Sequence, residues 1–94
     1  MTPEKTFENK IKKYLTSKGA YFVKFFGCAF TRAGVPDLLC CVNGKFLAIE
    51  VKAERGVASP LQLQNIKNIE AAKGIALVVK PSQFDELKKL IDNL

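Results

Sequence analysis

Residues 34–52 read GVPDLLCCVNGKFLAIEVK. A Gly-Val-Pro turn leads into an apolar run, an Asn-Gly pair interrupts it, and a second run closes on Glu50 and Lys52. Two-residue Asn-Gly loops are the strongest short-range hairpin signal, because both residues tolerate the positive φ of a type I′ turn. With Asn43 and Gly44 as the loop, Val42 faces Lys45. Counting outward then places Asp37 directly across from Glu50 on one face, with Cα atoms roughly 4.5–5.5 Å apart. Strand alternation adds Lys52 to that face and turns Ile49 and Val51 to the other. Taken singly, a Glu-x-Lys strand is usually a solvated ion pair, and an Asp after Pro an ordinary turn residue. Here one register brings all three groups to one point. Opposed carboxylates repel, and without a partner one of them takes up a proton. A hard divalent ion such as Mg²⁺ removes the repulsion, since it binds a few carboxylate oxygens and keeps several waters.

Outward from the hairpin, punctuation and periodicity predict the other elements. Thr2-Pro3 starts a helix that carries Phe7, Ile11, Tyr14 and Leu15 and ends at Lys18-Gly19. Residues 20–26, AYFVKFF, read as a strand, followed by the loop GCAFTRAGVP. The hairpin supplies strands over 37–42 and 45–52, and 53–58 is a polar connection. Ser59-Pro60-Leu61-Gln62 opens a second helix with a capping-box pattern and runs to Lys73-Gly74. IALVVK (75–80) reads as a strand covered on both faces, and Pro81-Ser82 opens a last helix. The order α-β-β-β-α-β-α predicts an α/β fold, a small mixed sheet flanked by helices. The link from strand 45–52 to strand 75–80 has the form of a right-handed parallel crossover.

With 94 residues, the chain is read as one domain spanning 1–94. Its apolar and charged fractions, 48% and 26%, are those of a water-soluble globular protein. No run approaches membrane-span length and no basic-then-apolar leader opens the chain, so neither a membrane partner nor export is expected. Three cysteines, with Cys40 and Cys41 adjacent, argue against a disulfide framework and fit a reduced cytosol; all three are read as small buried hydrophobes. There is no histidine, which removes Ser-His and Cys-His catalysis and every histidine general base. Any chemistry must therefore come from carboxylates, lysines and a metal. The formal charge of +6 is consistent with a polyanionic partner such as nucleic acid, or with ordinary solubility.

Two further polar residues bear on the paired acids. On a helical wheel Glu8 borders the stripe of Ile11 and Leu15, where it either reaches the acids over the sheet edge or stays a surface glutamate. Gln62 shares a face with Ile66 and Ile69, so it either points inward or folds back as the capping-box partner of Ser59. Gln64 falls on the opposite side and reads as surface.

Gly34-Val35-Pro36-Asp37, Glu50-Val51-Lys52 and Ser59-Pro60-Leu61-Gln62 together resemble the VRR-NUC (virus-type replication-repair nuclease) domain of the PD-(D/E)XK nuclease superfamily. The resemblance covers nearly the whole chain, in a stand-alone form akin to archaeal Holliday-junction resolvases. It implies a restriction-endonuclease-like core and an Mg²⁺-dependent endonuclease, with Mn²⁺ able to substitute, acting on branched DNA such as Holliday junctions or flaps and leaving 5′-phosphate and 3′-hydroxyl ends. By this resemblance Asp37, Glu50, the Val51 carbonyl and Glu8 hold metal, Lys52 orients or deprotonates the attacking water, and Gln62 positions Lys52 or the water. Lys24, Arg32 and Arg55 are candidates for the DNA backbone, with plain solvation as the alternative for each. A core with no added domain is expected to act as a homodimer, using the 20–26 strand and the Cys28–Phe30 loop as contact surfaces, in the cytoplasm of a bacterial or phage-infected cell. The competing readings are a non-catalytic nucleic-acid-binding module on the same fold and a nuclease acting on linear DNA.

Overall fold

The hairpin around Asn43-Gly44 is the centre of the molecule. In the computed structural model, which describes residues 1–94, Asn43 and Gly44 have φ of 50° and 79°. They join β2 (Leu38–Val42) to β3 (Lys45–Val51) with Val42 opposite Lys45 and Leu38 opposite Ile49. β1 (Tyr21–Lys24) pairs antiparallel with β2, and β4 (Ile75–Val79) pairs parallel with β3, giving a four-stranded mixed sheet in the order β1-β2-β3-β4. Three helices complete the α/β fold: α1 (Pro3–Ser17), α2 (Pro60–Ala71) and α3 (Phe84–Asp92). None of them is long and apolar enough to cross a membrane.

The two faces of the sheet are packed differently because the strands alternate. Leu38, Cys40, Val42, Leu47, Ile49, Val51 and Val79 meet Phe7, Ile11 and Leu15 of α1 and Leu87 and Ile91 of α3 in the main core. The opposite face carries small residues, Ala48 and Ala76, against which Ile66 of α2 rests. Glu50 alternates with Ile49 and Val51, so it projects to the α2 face.

α1 starts on Thr2, whose hydroxyl accepts the Lys5 N–H at 3.1 Å, with Pro3 in the first turn. Its exit uses Gly19 at φ 71°. α2 starts on a complete capping box: the Ser59 hydroxyl accepts the Gln62 N–H at 3.1 Å, and Gln62 Oε1 accepts the Ser59 N–H at 2.8 Å.

Several sequence expectations are corrected here. The 20–26 strand is shorter, ending at Lys24. Phe25 still donates its N–H to the Asp37 carbonyl at 2.8 Å, one step past the end of the strand. The last helix is preceded by a 3₁₀ turn over Pro81–Gln83, tied by Gln83 Oε1 to the Lys80 N–H at 3.0 Å. Of the cysteines only Cys40 is buried; Cys41 lies on the α2 side of β2, two residues beyond Leu39, and is exposed, and Cys28 lies in an exposed loop. Tyr21 and Val23, on the same uncovered strip as Cys41, remain 72% and 42% exposed.

Because Gly44 sits at positive φ, Gly44→Val is expected to destabilise the fold by about 1–2 kcal/mol, the cost of forcing a branched residue into the left-handed region. Urea unfolding followed by circular dichroism measures it.

Candidate functional site

The ladder of β2 and β3 ends where the acids begin. At the register positions beyond Leu38 and Ile49, Asp37 faces Glu50 and Pro36 faces Val51. Pro36 has no N–H to give the Val51 carbonyl, and the Val51 N–H is taken by the Asp37 side chain, whose Oδ2 accepts it at 2.8 Å. On the other side of the strand the Lys52 N–H goes to the Val79 carbonyl at 3.0 Å. An extended residue turns its N–H and C=O to the same side, so the Val51 carbonyl is directed toward Asp37.

Glu50 is 2% exposed. Its Oε2 accepts from Gln62 Nε2 at 3.2 Å and pairs with Lys52 Nζ at 3.3 Å. Its Oε1 has no partner and no contact with solvent. Burial, and then the neighbouring Asp37 carboxylate, push the Glu50 carboxyl up to about 7, against the opposing pull of Lys52. Gln62 fills both roles left open by the sequence: its carbonyl oxygen completes the capping box while its amide N–H₂ group reaches Glu50. Gln64 instead bonds Asn68 on the outer surface.

Glu8 is also buried, at 3% exposure, and it does not join the pair directly. Its Oε2 meets Lys5 at 2.8 Å and Lys12 at 3.1 Å, and its Oε1 meets Lys24 at 2.6 Å. Burial raises its carboxyl, but the three ammonium groups outweigh that and hold it down at about 2. Lys24 also reaches Asp37 Oδ1 at 3.3 Å, so it stands between the two carboxylates. This position corrects its reading as a solvated lysine: Lys24 alternates with Val23 toward the α1 face, where it meets Glu8.

Arg32 and Asp37 line one cleft of about 320 Å³, together with Phe25, Gly27, Cys28 and Gly34. Arg55 is exposed in the turn that follows Lys52, and Glu54 ties this turn to Ser82 through bonds of 2.9 and 2.7 Å.

Two features escaped the sequence reading. Asn65 is buried and donates from Nδ2 to the Ala33 carbonyl at 3.2 Å and the Leu61 carbonyl at 2.9 Å, pinning the turn that carries Asp37 to α2. The available signal was its position three residues after Gln62 on the inward side. Gly34 lies under this bond at φ 80°, and a Cβ there would come within 2.8 Å of Asn65 Nδ2 and 2.9 Å of the Leu61 carbonyl. The lysines around Glu8 were the second omission, although Lys5 and Lys12 stand at i−3 and i+4 from it.

No three His, Cys, Asp or Glu side chains lie close enough together to hold a metal ion by themselves. The pair nevertheless suits a hard cation: Glu50 Oε1 is an orphaned buried acceptor, Asp37 Oδ1 has only the long Lys24 contact, and the Val51 carbonyl is directed to the same side. Comparison with known proteins adds nothing to this geometry, since no family model and no curated protein matches the chain.

The two glutamates act oppositely on stability. Glu50, raised in the fold, stabilises it only while protonated: that contribution is whole below the ordinary carboxyl range and lost as pH rises through about 7. Glu8, lowered in the fold, stabilises it above the ordinary carboxyl range, and the contribution disappears as pH falls toward about 2. Urea unfolding in chelator should therefore show the wild type losing on the order of 1–3 kcal/mol relative to Glu50→Gln between pH 5 and pH 8. Both proteins should weaken together below pH 4. Parallel curves between pH 5 and 8 would show that Glu50 is not strained by its surroundings.

Proposed function

We propose that this protein is a divalent-metal-dependent DNA endonuclease of the VRR-NUC type, built on a restriction-endonuclease-like core and acting on branched DNA. The observation that carries the reading is the buried Glu50 carboxylate with one oxygen unpartnered, held opposite Asp37 and beside Lys52. A core of this size has no structural use for such a group, because burying an unpaired acceptor costs about 1–3 kcal/mol.

A phosphodiester is an anion and repels hydroxide, so its hydrolysis needs neutralised charge and an activated water. When bound, Mg²⁺ or Mn²⁺ supplies both. Asp37 and Glu50 hold it, with the Val51 carbonyl as a third oxygen. Lys52, whose ammonium is anchored 3.3 Å from Glu50, orients the attacking water. Gln62 fixes the Glu50 carboxylate from the first turn of α2, so the capping box and the site share one side chain. Arg32 and Arg55 contact the DNA backbone on either side of the acids.

A second copy of the chain packs against the uncovered strip of Tyr21, Val23 and Cys41, where β1 also presents an unpaired edge. Two-fold symmetry suits a four-way junction. Sedimentation at micromolar concentration should show a dimer that Tyr21→Lys with Val23→Lys dissociates.

One observation favours the rival reading of a non-catalytic DNA-binding module: no third acidic side chain stands with the pair. Incubation of branched and linear DNA with Mg²⁺ or Mn²⁺ separates the two. The nuclease cleaves branched DNA, and Asp37→Ala or Lys52→Ala lowers the rate by about 10²–10⁴-fold. Binding without products, indifferent to chelator, would leave the binding module as the correct reading.

A further inference from the structure

Lys24 belongs to no part of the mechanism above, yet it makes the closest contact to the paired acids from the α1 side. Its ammonium lies 2.6 Å from Glu8 Oε1 and 3.3 Å from Asp37 Oδ1. Glu8 has no need of it for neutrality, because Lys5 and Lys12 from its own helix already serve Oε2. Asp37 likewise has its other oxygen satisfied by the Val51 N–H. Lys24 therefore takes the two carboxylate oxygens, one on each acid, that no other group in the protein uses.

We infer that the Lys24 ammonium and a divalent cation entering the Asp37–Glu50 site compete for Asp37 Oδ1, with the lysine holding the space between Asp37 and Glu8 until the ion enters. The inference rests on reading Asp37 and Glu50 as a metal site. It explains why no third acid stands with the pair: Glu8 is buried at the right edge of the sheet, and the lysine lies between it and Asp37. An ammonium and a small dication are drawn to the same carboxylates, and the two cannot share one position without repelling. Entry of the ion drives Lys24 outward, toward the exposed Phe26 ring whose centroid already lies 5.9 Å from the ammonium. Glu8 then becomes the third carboxylate, direct or through water. Lys24 is an internal counter-ion that bridges and neutralises Glu8 and Asp37 in the ion-free protein and limits how tightly the ion is held.

Mn²⁺ titration by calorimetry tests this without reference to cleavage. Lys24→Met keeps the apolar stem and removes the charge, and it should bind Mn²⁺ at least tenfold more tightly than wild type. Adding Glu8→Gln to Lys24→Met should abolish the gain. Unchanged or weaker binding by Lys24→Met, with wild-type binding that still depends on Asp37, would make Lys24 a structural tie and overturn the inference alone. No Mn²⁺ binding by either protein, or binding that survives Asp37→Asn in both, would overturn the metal reading together with it. Nitrogen NMR of the wild-type lysine side chains during Mg²⁺ titration gives a check that needs no variant. The Lys24 ammonium signal should shift as the ion saturates, and a signal that stays fixed at saturation counts against displacement.

Discussion

Glu50 lies where water does not reach, next to a second carboxylate, and the surrounding structure is organised by the need to hold it there. Transfer of a carboxylate out of water is strongly unfavourable unless it is paired and hydrogen-bonded. Gln62 and Lys52 satisfy one oxygen and leave the other open. Strand β3 cannot move the residue to solvent, because its neighbours Ile49 and Val51 are locked into the main core on the opposite face. The same alternation that builds the core thus holds the acid in the interior. Helix α2 approaches closely over Ala48 and Ala76 and brings Gln62 within reach.

Asp37 is placed by a different device, an interrupted ladder. Pro36 cannot donate to the Val51 carbonyl, and the Asp37 side chain accepts the Val51 N–H, so the acid is tied to β3 while that carbonyl has no backbone donor from Pro36. Asn65 and the positive φ of Gly34 hold the turn from the α2 side. In the G-V-P-D stretch Gly34 lets the turn pass close under α2 and Asp37 ties it to β3. The outcome is one carboxylate anchored by backbone and one anchored by a helix cap, which leaves each a single lightly used oxygen.

Much of this was legible because hairpin register is a local property. Asn43-Gly44 sets the turn, the turn sets the pairing, and period-two alternation assigns the faces, so the opposition of Asp37 and Glu50 followed from counting. Gln62 was legible in outline only. Its wheel position allowed two roles, and the choice depended on how far an amide spans once its oxygen is committed to Ser59. The extent of β1 was overestimated because the aromatic Phe25 and Phe26 favour a strand, while the partner strand β2 begins only at Leu38. The exposure of Cys41 was missed for a related reason: alternation names its face, but only the reach of α2 decides whether that face is covered.

By itself, then, the sequence determined the element order, the hairpin register and the side of the sheet on which Asp37, Glu50 and Lys52 lie. Those features depend on φ preferences, caps and periodicities that act within a few residues of one another. The tertiary structure alone decided that Lys24 stands between Glu8 and Asp37, that Asn65 holds the Asp37 turn, and that one oxygen of Glu50 is left without a partner. Those are distances between residues 13 to 32 positions apart. They are set by how closely helices pack on a sheet, which no local pattern encodes.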